Sequence, residues 1–238
     1  MPTPGVSASV KVGGFTPLST TDWPGKLAAV VFVQGCPWRC HYCHNVELQP
    51  RAGGEPAGWL HALGTLSQRK GLLDGVVFSG GEPTLDPALP DAIDVVRAMG
   101  FQVGLHTAGI YPDKLAPILD RLDWVGFDVK ADFADYERVT AVADSGRPAW
   151  RSLQQVLRAR RDRGLALEVR TTYHPTLHSD DTLVALAATL VKLGIAHWVI
   201  QPFRGTHVQH ADLVATAAPP SEDLLRRLVA QGLQPEVR

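Results

Sequence analysis

The sequence of 238 residues is short of the features that mark several protein classes. It has three cysteines, all between Cys36 and Cys43. None lies elsewhere to close a long loop, so a disulfide framework of the secreted kind is excluded and a reducing, cytoplasmic location is expected. An excess of charge is also missing. The 23 Lys and Arg residues oppose 24 Asp and Glu, a formal net charge of -1, which removes the main electrostatic reason to expect nucleic acid or a membrane surface as partner. No apolar run reaches the roughly 18 residues that a membrane-spanning helix needs. Met1 to Val10 lacks a basic stretch followed by an apolar one, so a secretory leader is not expected. What remains is a chain 45% hydrophobic and 20% charged, the composition of a folded domain with a buried core.

Hydrophobic patterning gives the organisation. Residues 1–25 are rich in Gly, Pro, Ser and Thr and read as an extended lead-in. Leu27–Val33 is a continuous apolar run of strand length, suited to burial on both faces. Further strands are expected at Gly75–Phe78, Phe101–His106, Trp124–Val129, Leu165–Thr172 and His197–Gln201. Helical spacing falls between them, near Ala57–Lys70, Pro87–Met99, Asp113–Arg121, Arg151–Arg163 and Ser179–Leu193, several closed by glycine. Six strands alternating with helices imply parallel β/α units over residues 26–205. Residues 206–238 form a C-terminal extension with a helix at Ser221–Gln231, and the whole reads as one structural domain. A doubly wound sheet and a partial barrel both satisfy this pattern, and both place their sites at the C-terminal ends of the strands.

The cysteines stand just after the first strand in the spacing CxxxCxxC: Cys36, Cys40 and Cys43. Soft thiolates select zinc, copper(I) or an iron–sulfur cluster. Zinc would need a fourth ligand, which His41 or His44 could supply. A [4Fe-4S] cluster usually takes four cysteines, so three would leave one iron open to a small molecule.

The segment CPWRCHYC, with an aromatic residue just before the third cysteine, resembles the signature of the radical S-adenosylmethionine (SAM) superfamily. Residues 13–45 (GGFTPLSTTDWPGKLAAVVFVQGCPWRCHYCHN) resemble the activating proteins of anaerobic ribonucleoside-triphosphate reductase. So do SGGEPTL at 79–85, DVKA at 128–131 and EVRTTYHP at 168–175. The resemblance runs from about Lys11 to Arg204. It implies an α/β fold, a partial (β/α)6 TIM-type barrel with the radical SAM core, holding a [4Fe-4S] cluster on Cys36, Cys40 and Cys43 with SAM on the open iron.

The resemblance also implies roles for other residues. Gly80, Gly81 and Glu82 would contact the SAM amino group, and Thr107 would lie against SAM. Ala108 stands where the family often has Asn, which removes a side-chain role there. Lys130 would face the SAM carboxylate, with Asp128 as its polar neighbour. Arg170 would lie near the carboxylate or the cluster. His174 shares the alternation of Arg170 and Thr172, and Gln201 ends the last strand near the adenine. The arginines of the helix ending at Arg163 read as a solvated face. Trp59, Trp124 and Trp198 read as packing residues.

The expected activity is reductive cleavage of SAM to place a glycyl radical on a partner enzyme, anaerobic ribonucleoside-triphosphate reductase or another glycyl-radical enzyme, with a reductant such as flavodoxin or ferredoxin. Two rivals are a radical SAM enzyme acting on a small molecule, such as a 7-deazapurine precursor or a peptide, and a zinc-stapled binding module without catalysis.

Overall fold

The computed structural model describes residues 9–54, 56–205 and 211–238. The first eight residues of the expected lead-in, and residues 206–210 at the start of the expected extension, lie outside the described residues. Eight strands among the described residues form one sheet in chain order: β1 (Val12–Ser19), β2 (Ala28–Val33), β3 (Gly75–Gly80), β4 (Gln102–Thr107), β5 (Trp124–Asp128), β6 (Ala166–Tyr173), β7 (His197–Pro202) and β8 (Gln234–Val237). From β2 to β8 every neighbouring pair is parallel, whereas β1 runs antiparallel to β2. The helices between the strands are α1 (Pro56–Ser67), α2 (Leu89–Ala98), α3 (Pro112–Leu115), α4 (Tyr136–Thr140), α5 (Gly146–Arg163), α6 (Asp180–Lys192), α7 (Ala211–Ala215) and α8 (Glu222–Ala230). None of them is long and apolar enough to cross a membrane.

Two expectations change. The lead-in is part of the sheet, because β1 pairs with β2 from Val12 opposite Val33 to Ser19 opposite Ala28. Pro17 and two glycines hide its strand character, and β1 is an edge strand, where proline is tolerated. The extension also joins the sheet: β8 pairs with β7, so the barrel does not end at residue 205. The six expected parallel strands are all present, within a residue or two of their expected limits at most ends. The helix expected at Asp113–Arg121 is α3 followed by a 3-10 segment, Ala116–Arg121.

The period-two alternation of the strands separates two surfaces. Ala29, Val31 and Val33 of β2, Val76 and Phe78 of β3, and Val125 and Phe127 of β5 join the large core shared with the helices. Ala28, Val30, Val77 and Trp124 point the other way, into a second small cluster with Trp23. Trp23 comes from the β1–β2 connection and stacks on Trp124 with ring centroids 5.5 Å apart and planes inclined by 19°. Glycine makes room for this pair. A Cβ on Gly104 of β4 would lie 3.0 Å from Trp23 and 3.1 Å from Trp124, and one on Gly126 of β5 would lie 2.7 Å from Trp124. The inner face is thus apolar at the N-terminal end of the strands and filled by two indoles. Farther along the same face, Ser79, His106, Asp128, Arg170, Thr172 and Gln201 line a cleft.

Candidate active site

The cleft has a volume of about 340 Å³ and its lining includes all three cysteines. Local hydrogen bonds fix their loop. Gly35 N–H donates to Leu48 O at 2.7 Å, Cys36 N–H to Gln49 O at 2.9 Å, and Cys43 N–H to Cys40 O at 3.0 Å. Arg39 and His41 donate their backbone N–H groups to Thr140 O and Val139 O at the end of α4. The Arg39 guanidinium closes the turn by donating to Cys36 O at 2.7 Å. Trp38, which is buried, packs edge-on to Tyr136 of α4.

Gly80 and Gly81 sit behind this loop and line the same cleft. Gly80 has φ +115°, a conformation that favours glycine, and its ideal Cβ would lie 2.5 Å from Val33 N. A Cβ on Gly81 would lie 2.3 Å from Gly35 O. The close approach that the paired glycines allow is therefore with backbone, the end of β2 for Gly80 and Gly35 at the start of the cysteine loop for Gly81. Glu82 N–H continues the contact, donating to Gly35 O at 2.9 Å.

A charged network lines the same cleft. Asp128 Oδ1 accepts from Arg170 Nε at 3.0 Å and lies 2.9 Å from Arg170 Nη2, while its Oδ2 accepts from Lys130 Nζ at 3.3 Å. Burial pushes the Asp128 carboxyl up, but Arg170 and then Lys130 outweigh it and hold the group well below its ordinary range. Lys130 is likewise opposed by burial and raised by Asp128, so both stay charged at neutral pH. Lys130 Nζ also lies 5.6 Å from the centroid of the Tyr42 ring, a cation–π contact. His106 is pushed down to about 3 by desolvation and by Arg170, so its imidazole is neutral at pH 7. Its Nδ1 lies 3.1 Å from Ser79 Oγ; its Nε2 lies 2.8 Å from Asp22 O and 3.0 Å from Arg170 Nη1. Either tautomer satisfies only one of the two groups at Nε2, since that atom donates or accepts but not both.

The structure brings Cys36, Cys40, Cys43, Gly80, Gly81, Thr107, Asp128, Lys130, Arg170 and Gln201 to one cleft. Glu82 and His174 stand apart from its lining. Glu82 is buried, and its carboxylate accepts from Thr84 N–H and Oγ1, from Thr107 Oγ1 at 2.8 Å and from Ala108 N–H at 3.1 Å. Burial raises its pKa against these bonds. Its place is between the turn after β3 and the end of β4, where it fixes Thr107. His174 is fully buried and its ring is committed elsewhere. Its Nε2 donates to Leu213 O in α7 at 2.8 Å, and its Nδ1 accepts from Thr176 Oγ1 at 2.9 Å. The alternation from Arg170 ends at Tyr173, the last residue of β6, so His174 no longer follows the inner face.

Asp22, Ser79, His106 and Tyr42 are cleft residues that the sequence reading did not assign to the site. Period two could have found Ser79, which is paired with Phe32, and His106, two residues after the lumen-facing Gly104. Asp22 arrives by a turn folded into the barrel, which no periodicity reports.

The donor set fits an iron–sulfur cluster. A cubane takes one thiolate per iron, and the three cysteines lining one cleft could each bind one. Burial pushes the Cys36 thiol up to about 12 and the Cys40 thiol up to about 11, with Glu82 adding to the first and Lys130 opposing the second. Such thiols do not ionise unaided at neutral pH; bound metal would hold them as thiolates. The buried Tyr42 hydroxyl in the same wall has no hydrogen-bond partner among the described residues, an unmet polar group of the kind a bound cofactor often satisfies.

A partial barrel with three cysteines and two cations lining one cleft at the C-terminal ends of its strands fits a class of cluster enzymes that bind SAM. The chain belongs to that class: the family model described as "Radical SAM superfamily" matches residues 30–197. It is therefore a radical SAM enzyme, and the family's cofactors are a [4Fe-4S] cluster and SAM. The chain is 31% identical over 180 residues to the pyruvate formate-lyase-activating enzyme of Clostridium pasteurianum, covering 74% of this chain and 73% of that one. It is 28% identical over 184 residues to a Methanocaldococcus jannaschii protein named for glycyl-radical enzyme activation, covering 75% of each. The fold is shared with Streptococcus suis SuiB bound to S-adenosylmethionine, at a TM-score of 0.60 and 12% identity, covering 86% of this chain and 48% of that one.

Proposed function

We propose that this radical SAM enzyme activates a partner protein by removing a hydrogen atom from a glycine Cα, and that the partner is anaerobic ribonucleoside-triphosphate reductase. The observation that carries the reading is the likeness, across about three quarters of each sequence, to two relatives named as activating enzymes, one of glycyl-radical enzymes and one of pyruvate formate-lyase. The choice of partner rests on the resemblance of residues 13–45.

Cys36, Cys40 and Cys43 would hold three irons of the cluster. Lys130 and Arg170 would offer cations to the SAM carboxylate, with Asp128 keeping both oriented. Gly80, Gly81 and Thr107 would shape the surface beneath the amino group, and Gln201 would face the adenine side. Glu82 would act through Thr107 rather than by contact. The apolar plug of Trp23 and Trp124 would close the far end of the lumen to water. When bound, the cluster and SAM would supply one-electron reductive cleavage of the sulfonium C–S bond, with a flavodoxin- or ferredoxin-type donor, and the hydrogen taken from the glycine would end in 5′-deoxyadenosine. A reducing cytoplasmic setting suits such a centre.

The test is electron paramagnetic resonance on the reduced, reconstituted enzyme mixed with SAM and a candidate reductase. A glycyl doublet that requires both proteins supports the reading. SAM turnover with no protein radical, but with stoichiometric change in an added small molecule, would favour the small-molecule rival.

A further inference from the structure

Lys130 lies two residues past the end of β5, beyond the paired residues of the sheet. Side chains from two other segments hold its backbone. Its N–H donates to the Tyr136 hydroxyl of α4 at 3.1 Å, and its carbonyl accepts from His178 Nε2 at 2.7 Å. His178 is buried in the turn between β6 and α6 and is not part of the cleft lining.

The contacts of this imidazole fix its tautomer. A carbonyl only accepts, so Nε2 carries the proton toward Lys130 O, and Nδ1 accepts from His174 N–H at 3.2 Å. Burial lowers its pKa, which keeps the ring neutral at pH 7. The ring stacks on Tyr42, with centroids 6.4 Å apart and planes inclined by 27°, and on Tyr173, at 6.1 Å and 28°. Tyr42 directly precedes the third cysteine, and its ring is the one that the Lys130 ammonium meets. One imidazole therefore touches both the backbone that carries Lys130 and the aromatic ring against which its ammonium rests.

We infer that His178 is a positioning residue for SAM binding: it holds the Lys130 backbone and the Tyr42 ring in the register that presents the Lys130 ammonium to the SAM carboxylate. This rests on the proposed role of Lys130. A lysine ammonium rides on a flexible stem, so its place depends on where the backbone is anchored and on what the stem and head rest against. Asp128 fixes the head at 3.3 Å, and His178 fixes the base. Without His178 the Lys130 carbonyl loses its donor, and the turn is free to shift the ammonium away from the carboxylate.

Equilibrium dialysis of radiolabelled SAM against the reconstituted, oxidised full-length enzyme reads affinity without turnover. His178→Phe keeps a stacking ring but donates no hydrogen bond, and should weaken SAM binding by about tenfold with the [4Fe-4S] absorption intact. His178→Gln restores an N–H donor toward Lys130 O and should bind within about threefold of wild type. Lys130→Ala should weaken binding more than His178→Phe does. Adding His178→Phe to Lys130→Ala should change affinity by less than about twofold, because His178 acts through Lys130. In turnover assays the His178→Phe loss should fall on the KM for SAM and not on kcat. Wild-type affinity in His178→Phe, equal losses in the Phe and Gln variants, a full further loss in the Lys130→Ala background, or loss of the cluster absorption in both His178 variants would overturn the inference. The two roles fail separately. Wild-type SAM affinity in Lys130→Ala would refute the role of Lys130 and the inference with it. Weakened binding in Lys130→Ala with none in His178→Phe would refute His178 alone.

Discussion

Asp128→Asn removes the one carboxylate that holds two cations in the cleft wall. In the wild type, Asp128 meets Arg170 at 2.9 and 3.0 Å and Lys130 at 3.3 Å. At an effective dielectric of about 20, a pair of unit charges 4 Å apart gains about 4 kcal/mol. Much of that repays desolvation, because the Arg170 and Lys130 side chains are only 9% and 13% exposed. Breaking a buried pair by removing one partner costs about 3–5 kcal/mol. Asp128 is 28% exposed, so water screens part of the loss, and about 2–3 kcal/mol is expected. Urea denaturation of the metal-free protein measures it. The double variant Asp128→Asn, Arg170→Met should recover part of the loss, because removing both charges leaves fewer unpaired groups. A loss below about 0.5 kcal/mol, or strict additivity in the double variant, would refute the network as a coupled unit.

Three further outcomes are expected. Cys36→Ser, Cys40→Ser and Cys43→Ser should each lose the [4Fe-4S] absorption after anaerobic reconstitution; a normal spectrum in any of them would remove that residue from the ligand set. Trp23→Ala should destabilise the fold by about 3–5 kcal/mol in the same urea assay, since it empties a buried indole site stacked on Trp124. The pH dependence of stability should show His106. Its pKa falls from 6.5 to about 3 on folding, so the unfolded chain takes up a proton first as pH drops below 6.5. That contribution is full above pH 6.5 and is lost as pH falls toward 3, so wild type should lose more stability than His106→Asn between pH 7.5 and pH 5; equal losses would contradict the assignment.

Much of the site was legible because it obeys short-range rules. The cysteine triplet is contiguous, and Asp128 and Lys130 stand two apart at a strand end, so both reach the cleft where they pair. The buried parallel strands announce themselves as Val-rich runs. The rest depends on contacts between distant segments. β1 contains Pro17 and lies at an edge, so its sequence reads as a loop. Gln234–Val237 is short and mostly exposed, with no apolar run to mark it as a strand. Trp23 reads as part of a lead-in until Gly104 and Gly126, on two other strands, are seen to leave space for it and Trp124. Glu82 belongs to a motif associated with cofactor contact, yet its bonds to Thr107 and Ala108 become visible only when β3 and β4 are side by side. His174 lies outside the cleft lining for a simpler reason: the strand stops one residue before it.

The central claim is that a glycine Cα of a partner protein gives up its hydrogen at this centre. Mass spectrometry of 5′-deoxyadenosine formed with a reductase carrying Cα-deuterated glycine tests it most directly. The account predicts transfer of one deuterium into 5′-deoxyadenosine together with a collapsed glycyl doublet in the resonance spectrum. Unlabelled 5′-deoxyadenosine, formed at the same rate with or without the reductase, would contradict it.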